Sequence, residues 1–265
     1  MGALVRLLLF ALVIAAVTPA GAAGVTSLPD CTRPLSLALH DRGLLYSKQS
    51  GEGIDKDFAD ELVRRSGCKF SVTVMPRGRI WQLIESGALD FSLSGITSEA
   101  RDRFAGFAWY FSNKYYLLVR NDAGLRRLAD FEDKPALRLG AMRSFRYSAT
   151  ANQLVDRLDA EHRVSYSTDL EPLYQILLNN RVQALIIEPF DYPAVHSGSL
   201  REKTTIIEFE DPAVLHGLIM SKKSLSASQQ QAWRQLVGAM RADGTVQRIF
   251  EKYFSPELAR TLTRF

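Results

Sequence analysis

Apolar and polar positions alternate along the chain in two successive runs, and each run predicts strands separated by amphipathic helices. In the first run, Leu35–Leu39 form a short apolar segment typical of a buried strand. Apolar residues at helical spacing follow, with Asp55 as the expected N-cap and Gly67 as the expected end of the helix. The alternating segment 70–74, a second helical segment and the apolar segment 89–94 complete a β-α-β-α-β order. This order predicts a parallel sheet covered by helices.

The same order begins again in the second half of the chain. The predicted strands there are 115–119, 137–141, 163–166 and 184–187, and the predicted helices are 148–158 and 170–179. The remaining C-terminal part predicts one strand and two helical segments, which bury little apolar surface alone. We therefore expect this C-terminal part to pack against the first βαβ unit, forming one lobe with it, while the second unit forms another lobe. The chain would then cross between the lobes twice, near Leu118–Arg120 and near His216–Leu218, and these crossings would act as a hinge.

The predicted architecture is an α/β fold with two lobes, each a mostly parallel sheet flanked by helices, joined by two hinge strands. Lobe 1 is expected to be discontinuous and to comprise residues 24–119 and 216–265. Lobe 2 is expected to comprise residues 120–215, between the two hinge strands. A binding site in such a fold lies between the lobes, where parallel strands end.

Residues 1–23 have the pattern of an export signal. Arg6 precedes an apolar run from Leu7 to Val17, and Pro19 and the small residues 20–23 follow it. The run is shorter than the roughly 20 apolar residues that span a bilayer. We expect a cleaved signal peptide and a periplasmic protein, with a membrane anchor or a buried N-terminal helix as the alternatives.

Charge and metal-ligand content exclude some classes of function. The 265 residues include 33 basic and 29 acidic side chains, for a formal net charge of +4. The charges are spread along the chain, which argues against a nucleic-acid partner. No cofactor is expected, and the two cysteines without nearby histidines form no zinc set.

The two cysteines predict a structural cross-link. Cys31 precedes the first predicted strand and Cys68 precedes the second. If these strands are parallel neighbours, both thiols lie at the same edge of the sheet, and an exported protein meets oxidising conditions. We expect a disulfide between them, with two free thiols as the alternative.

Several short segments occur in an order and spacing that resemble a known family. They are GIDKDF at 53–58, LIESGALDFSLS at 83–94, GIT at 95–97 with Arg101 and Phe107, and segments 110–119, 181–188 and 241–254. Together they resemble the bacterial extracellular solute-binding proteins of family 3, the amino-acid-binding components of ABC importers, over nearly the whole chain after residue 23. The resemblance implies lobes that close over a small charged solute, an amino acid or a related carboxylate. It also implies delivery to a membrane permease, and we expect a monomer.

The resemblance implies a set of ligand-binding residues. Arg101 would hold the ligand carboxylate with its paired guanidinium donors, helped by Gly95, Thr97 and Ser144. Glu188 stands where relatives have an Asp that accepts from the ligand ammonium. As alternatives, Arg101 is a solvated surface charge and Glu188 is a helix cap.

Three further residues are candidates for the same site. Asp41 follows the first predicted strand, where ligand-facing residues cluster, although it is equally consistent with a turn cap. Arg77 replaces an aromatic residue of the relatives, and Arg143 replaces the glycine of a Gly-Thr pair. If both arginines face the cleft, the ligand carries extra negative charge, as a dicarboxylate or an acidic amino acid does. The ligand then need not have an α-amino group.

Two other functions remain open from the sequence. Some relatives on this fold are periplasmic dehydratases of cyclohexadienyl acids, in which a carboxylic acid donates a proton, and Glu188 would be that acid. A ligand-sensing domain is the other alternative. We find no nucleophile motif and no phosphate loop, which favours binding over catalysis.

Overall fold

The computed structural model describes residues 29–265. The predicted signal peptide, residues 1–23, lies outside the described residues. Within the described part of the chain, no helix is both long enough and apolar enough to cross a membrane.

Ten strands form two sheets in residues 29–265. In chain order the strands are β1 Leu35–Leu39, β2 Phe70–Val74, β3 Phe91–Gly95, β4 Ala105–Asn113, β5 Tyr116–Arg120, β6 Leu139–Met142, β7 Val164–Ser167, β8 Ala184–Ile187, β9 Thr204–Glu208 and β10 Val214–Ser221. The first sheet has the order β2-β1-β3-β10-β4, and the second has the order β7-β6-β8-β5-β9. Each sheet has three parallel strands (β2, β1 and β3; β7, β6 and β8) and two antiparallel additions. The predicted two-sheet α/β fold is confirmed.

Helices cover both sheets. In chain order they are α1 Ile54–Ser66, α2 Arg77–Ser86, α3 Glu99–Asp102, α4 Asp130–Asp133, α5 Ala149–Ala160, α6 Leu170–Leu178, α7 Tyr192–Val195, α8 Gly198–Lys203, α9 Ala227–Ala242, α10 Thr245–Glu251 and α11 Pro256–Thr263. Two short 3-10 helices occur at Asn121–Ala123 and Pro189–Asp191. Most of the predicted segments are therefore present, with ends shifted by a few residues.

Two strands were not predicted from the sequence. Strand β4 is buried along nearly its whole length, so its residues show no apolar–polar alternation. Strand β9 is short, half-exposed and begins with two threonines, so it carries little apolar signal. Strand β4 pairs antiparallel with β10, and β9 pairs antiparallel with β5. Both partner strands begin directly after the chain has passed from one sheet to the other.

The start of α1 corrects one sequence expectation. Gly53, not Asp55, is the N-cap, and its φ of 146° is accessible to glycine. Asp55 lies inside the helix and is buried, and its carboxylate accepts hydrogen bonds from Ser94 Oγ at 2.6 Å and Tyr110 OH at 3.0 Å. The helix ends at Gly67 with φ 69°, as the sequence predicts.

The chain passes between the two sheets at two places. Residues 114–115 connect β4 to β5, and residues 209–213 connect β9 to β10. The segments predicted as links, Leu118–Arg120 and His216–Leu218, lie inside β5 and β10, a short distance C-terminal to these connections. The lobe limits at 119/120 and 215/216 stay a prediction.

The cysteine prediction is confirmed. Cys31 and Cys68 form a disulfide with a Cα–Cα distance of 4.9 Å. The bond joins the segments that precede β1 and β2, which are parallel neighbours with Leu35 opposite Phe70. The two cysteines therefore lie at the same edge of the sheet, as predicted.

Candidate functional site

A narrow cavity lies between the two sheets, near the ends of β3 and β8. Its volume is about 20 Å³, which is room for about one water molecule. We call it the inner cavity; it is lined by Leu45, Arg77, Trp81, Ser94, Gly95, Ile96, Arg101, Tyr115, Ser144, Phe145, Arg146, Glu188 and His216. It continues into a wider outer groove of about 560 Å³, and Arg101, Ser144 and Phe145 line both spaces.

Arg101 spans the cleft at the mouth of the inner cavity. It belongs to the short helix α3, which follows β3, and its Nη1 donates to Ile96 O at 3.1 Å. Its Nη2 donates to Ser144 O, on the other sheet's side, at 3.0 Å. The guanidinium lies 4.0 Å from the centre of the Trp81 ring. Burial and the nearby Arg77 lower the pKa of Arg101 below its usual range.

Arg77 forms part of the inner wall. It is the first residue of α2, directly after Pro76, and its side chain is buried. Nη1 donates to Leu93 O at 2.9 Å. Burial lowers the pKa of Arg77, and the negative charge of Asp55 partly opposes this. Arg77 therefore faces the cleft.

Arg143 has a different environment from Arg77. It is exposed and stacks on the Tyr166 ring at 5.3 Å. It lines the outer groove and not the inner cavity. Its charge thus contributes to the entrance of the cleft.

The remaining predicted residues divide into two groups. Gly95 and Ser144 line the inner cavity, and a Cβ at Gly95 would lie 2.2 Å from Ile219 Cγ1, so only glycine fits there. Thr97 is exposed and its hydroxyl donates to Asp102, outside the inner cavity. Asp41 accepts from the Lys48 backbone N–H at 3.1 Å, which is the turn-capping alternative, and does not line the cavity.

Two serines at the cavity have unusual backbone conformations. Ser94 has φ 53° and Ser144 has φ 64°, a region that non-glycine residues rarely adopt. The two serines belong to different sheets, since Ser94 is in β3 and Ser144 comes after β6. Such positions cost of order 1–3 kcal/mol and cluster at functional sites.

Glu188 accepts a hydrogen bond from the protein at each carboxylate oxygen. It follows β8 and is buried; Oε1 accepts from Arg42 Nε at 2.6 Å and Oε2 accepts from Asn113 Nδ2 at 3.2 Å. It also precedes the 3-10 helix Pro189–Asp191, and its backbone N–H donates to Asp191 Oδ2 at 3.0 Å. Glu188 lines the cavity, yet both of its carboxylate oxygens already accept hydrogen bonds.

Arg42 is the important residue that the sequence analysis missed. It is buried after β1, donates to Glu188 and, through Nη2, to Asp191 Oδ2 at 3.2 Å, and lies 4.7 Å from the centre of the Phe145 ring. Burial raises the pKa of Asp191 to about 6, although Arg42 opposes the shift. Burial alone would lower the pKa of Arg42, but the two carboxylates raise it. The sequence indicates Arg42 only by its position, because it directly follows the candidate Asp41 near the end of the same strand.

A neutral histidine completes the inner wall. His216, on β10, lies 3.3 Å from Tyr115 OH and 3.4 Å from Ser94 O. Burial lowers its pKa to about 4. The wall next to Arg77 is therefore polar but adds no positive charge at neutral pH.

The charges at the inner cavity are unbalanced. Among residues 29–265, neither Arg77 nor Arg101 forms an ion pair, whereas Arg42 is paired with Glu188 and Asp191. Arg146 pairs with the exposed Asp156 at 2.9 Å. The buried Arg77 and the half-buried Arg101 thus place two guanidinium groups with further N–H donors on one small cavity, an arrangement whose chemistry suits an anionic group.

The comparisons with known proteins agree with this fold. Residues 43–256 match the family described as bacterial extracellular solute-binding proteins, family 3. No curated protein matches the sequence.

Solved structures share the fold at low sequence identity. The arginine-, lysine-, histidine-binding protein ArtJ from Geobacillus stearothermophilus is 17% identical with a TM-score of 0.72, covering 86% of this chain and 99% of that one. An ancestral arginine-binding protein bound to arginine is 20% identical with a TM-score of 0.71, over 85% and 100%. The ancestral amino acid-binding protein AncCDT-1, a precursor of cyclohexadienyl dehydratase, is 18% identical with a TM-score of 0.69, over 84% and 96%.

Proposed function

We propose a solute-binding function from the premise that the chain belongs to the bacterial extracellular solute-binding proteins, family 3. In this proposal the exported, monomeric protein captures a small carboxylate-bearing solute between its two lobes in the periplasm. It then delivers the solute to the membrane permease of an ABC importer. The structural neighbours that are arginine-, lysine- or histidine-binding proteins support a small solute with a carboxylate.

One observation carries the proposal. Arg101 reaches from the first lobe to the Ser144 carbonyl of the second, and no carboxylate of the described residues neutralises it. A solute carboxylate that accepts from this guanidinium would touch both lobes at once. Its binding energy would therefore favour the closed arrangement, which is the form that a permease can distinguish from the open one.

Catalysis has no comparable support. The proton donor of a dehydratase would be Glu188, but its two oxygens accept hydrogen bonds from Arg42 and Asn113. We therefore propose solute binding and not dehydration.

A thermal-shift screen tests the proposal. Protein lacking residues 1–23 is heated with amino acids, mono- and dicarboxylates and polyamines; a bound solute raises the melting temperature by mass action. We expect at least one carboxylate to raise it, and the shift to disappear in Arg101→Ala. Stabilisation by polyamines alone would contradict the proposal. Uptake of the same solute by cells with and without the gene then tests delivery to a permease.

A further inference from the structure

We propose that the solute carries two acidic groups and no ammonium group, so that the site selects small dicarboxylates over α-amino acids. This inference rests on the proposed function and narrows its ligand class. Two features of the inner cavity support it: its carboxylate is already paired, and two of its guanidinium groups are not.

The first feature is that the carboxylate nearest to a ligand ammonium group already has its charge balanced by the protein. Glu188 is the only carboxylate lining the inner cavity in the described part of the chain. Its Oε1 is held by Arg42 Nε at 2.6 Å and its Oε2 by Asn113 Nδ2 at 3.2 Å. The positive charge that balances Glu188 is thus supplied by the protein itself.

A ligand ammonium that donated to Glu188 would have to share the carboxylate with Arg42, which is 1% exposed and would be a buried charge without a partner if its ion pair broke. The ammonium would therefore add a second positive charge beside Arg42 with no further carboxylate to balance it. The neighbouring carboxylates do not help. Asp191 is bound to Arg42 and to the Glu188 backbone, and Asp55 to Ser94 and Tyr110.

The second feature requires negative charge from the ligand. Arg77 donates to the carbonyl of Leu93, and Arg101 to two backbone carbonyls, so both keep further N–H donors. A carbonyl oxygen satisfies a donor but does not neutralise a charge. An α-amino acid with a neutral side chain would offer one carboxylate to one arginine, and its ammonium would add a positive charge near the other, which has only the more distant Asp55 to oppose it. A dicarboxylate compensates both.

Aromatic rings provide contacts for the carbon chain between the two acidic groups. Trp81 lies under Arg101, and Phe145 lies 5.6 Å from the Arg77 guanidinium. Both rings line the inner cavity and the outer groove. Because the inner cavity has room for about one water molecule, the linker would extend along the rings into the outer groove, with one carboxylate at Arg77 and the other at Arg101, which lines both spaces.

Calorimetric titration of the protein lacking residues 1–23 with matched ligand pairs tests the inference. Succinate is compared with aspartate and glutarate with glutamate, because each pair differs by the ammonium group. Butyrate and alanine supply the singly acidic controls. We expect one dicarboxylate to bind at least about tenfold more tightly than its amino counterpart and than butyrate.

The outcomes separate this inference from the proposed function. An amino acid that binds as tightly as its deaminated counterpart overturns the inference, and leaves solute binding intact. Butyrate binding as tightly as the dicarboxylates also overturns it. If no carboxylate or amino acid in the panel binds, both the inference and the proposed function fail.

Two variants test the roles of the arginines. Arg77→Met should weaken dicarboxylate binding at least about tenfold and butyrate binding little, while the exposed neighbour Arg79→Met on the same helix should change neither. Equal losses for both ligands would contradict a specific role for Arg77. Arg42→Gln frees Glu188, so the ratio of glutamate to glutarate affinity should rise. An unchanged ratio in a folded variant would show that Arg42 does not prevent Glu188 from binding a ligand ammonium group, which would overturn the inference.

Discussion

Arg42 and Glu188 form a buried ion pair between the two lobes, with Arg42 Nε donating to Glu188 Oε1 at 2.6 Å. Arg42 follows β1 of the first sheet, and Glu188 follows β8 of the second. The next residues continue the contact, since Leu44 N–H donates to Phe190 O at 3.0 Å and the Phe190 ring packs on Phe111 of β4. The protein therefore supplies part of its own interlobe contact.

We expect Arg42→Met to lower the free energy of unfolding by about 3–5 kcal/mol, because Glu188 and Asp191 would then be buried without a cation. Urea unfolding measures the loss. Arg64→Met is the matched control, since Arg64 pairs with Glu61 on the surface and should contribute little. Equal stability of the two variants would mean that the buried pair is not required for the fold.

Arg101→Lys tests the forked geometry at the cavity mouth. A lysine ammonium keeps the charge, but it cannot donate in one plane to Ile96 O, Ser144 O and a carboxylate. We expect solute affinity to fall at least about tenfold while the melting temperature without solute changes little. Arg103→Lys, on an exposed residue of the same segment, should leave affinity unchanged. Retained affinity in Arg101→Lys would show that charge alone is sufficient.

His216 gives a stability difference that depends on pH. Its pKa falls from 6.5 to about 4 on burial. Below pH 6.5 the unfolded chain therefore binds a proton that the native protein does not. The stability present above pH 6.5 is lost as the pH falls towards 4, by about 2 kcal/mol between pH 7 and pH 5.

The measurement is the difference in unfolding free energy between the wild type and His216→Gln at the two pH values. The wild type should lose the additional stability on acidification, and His216→Gln should not. His40, whose pKa burial lowers to about 3, acts in the same direction as His216, and Asp55 and Asp191, whose pKa values burial raises to about 6, act in the opposite direction. All three are common to both proteins, so they cancel in the difference. Replacement of the exposed His196 should have no such effect. A difference that does not vary with pH would contradict the neutral state of His216.

Reduction of the disulfide should destabilise the protein. Cys31 and Cys68 are 37 positions apart, and releasing a loop of that length restores conformational entropy to the unfolded chain. The expected loss is about 3–4 kcal/mol. Thermal unfolding with and without reductant measures it, and the Cys31→Ser, Cys68→Ser double variant should be insensitive to reductant. Two reactive thiols in the untreated protein would contradict the bond.

The sequence predicted the fold better than the site, for physical reasons. Strands β1 and β8 were identified at their true limits because short apolar segments between turns have a clear periodicity, whereas the buried β4 has none. Cys31 and Cys68 could be paired because their strands were correctly taken as parallel neighbours.

Arg101 and Glu188 lie at the cavity, where the resemblance implied them, and so does Arg77, whose orientation the sequence left open. Local sequence does not show which partner a side chain contacts. Arg42 illustrates this limit. Its partners are 146 and 149 positions away, so only the folded chain shows that Glu188 is already paired.

The most direct test is a crystal structure of the protein with the solute found in the ligand screen. We predict that the solute lies between the two sheets, with one carboxylate on Arg101 and within reach of Ser144, a second acidic group on Arg77, and the Arg42–Glu188 pair intact. A solute whose ammonium group is bound to Glu188 in place of Arg42, or a solute bound outside the cleft, would contradict it.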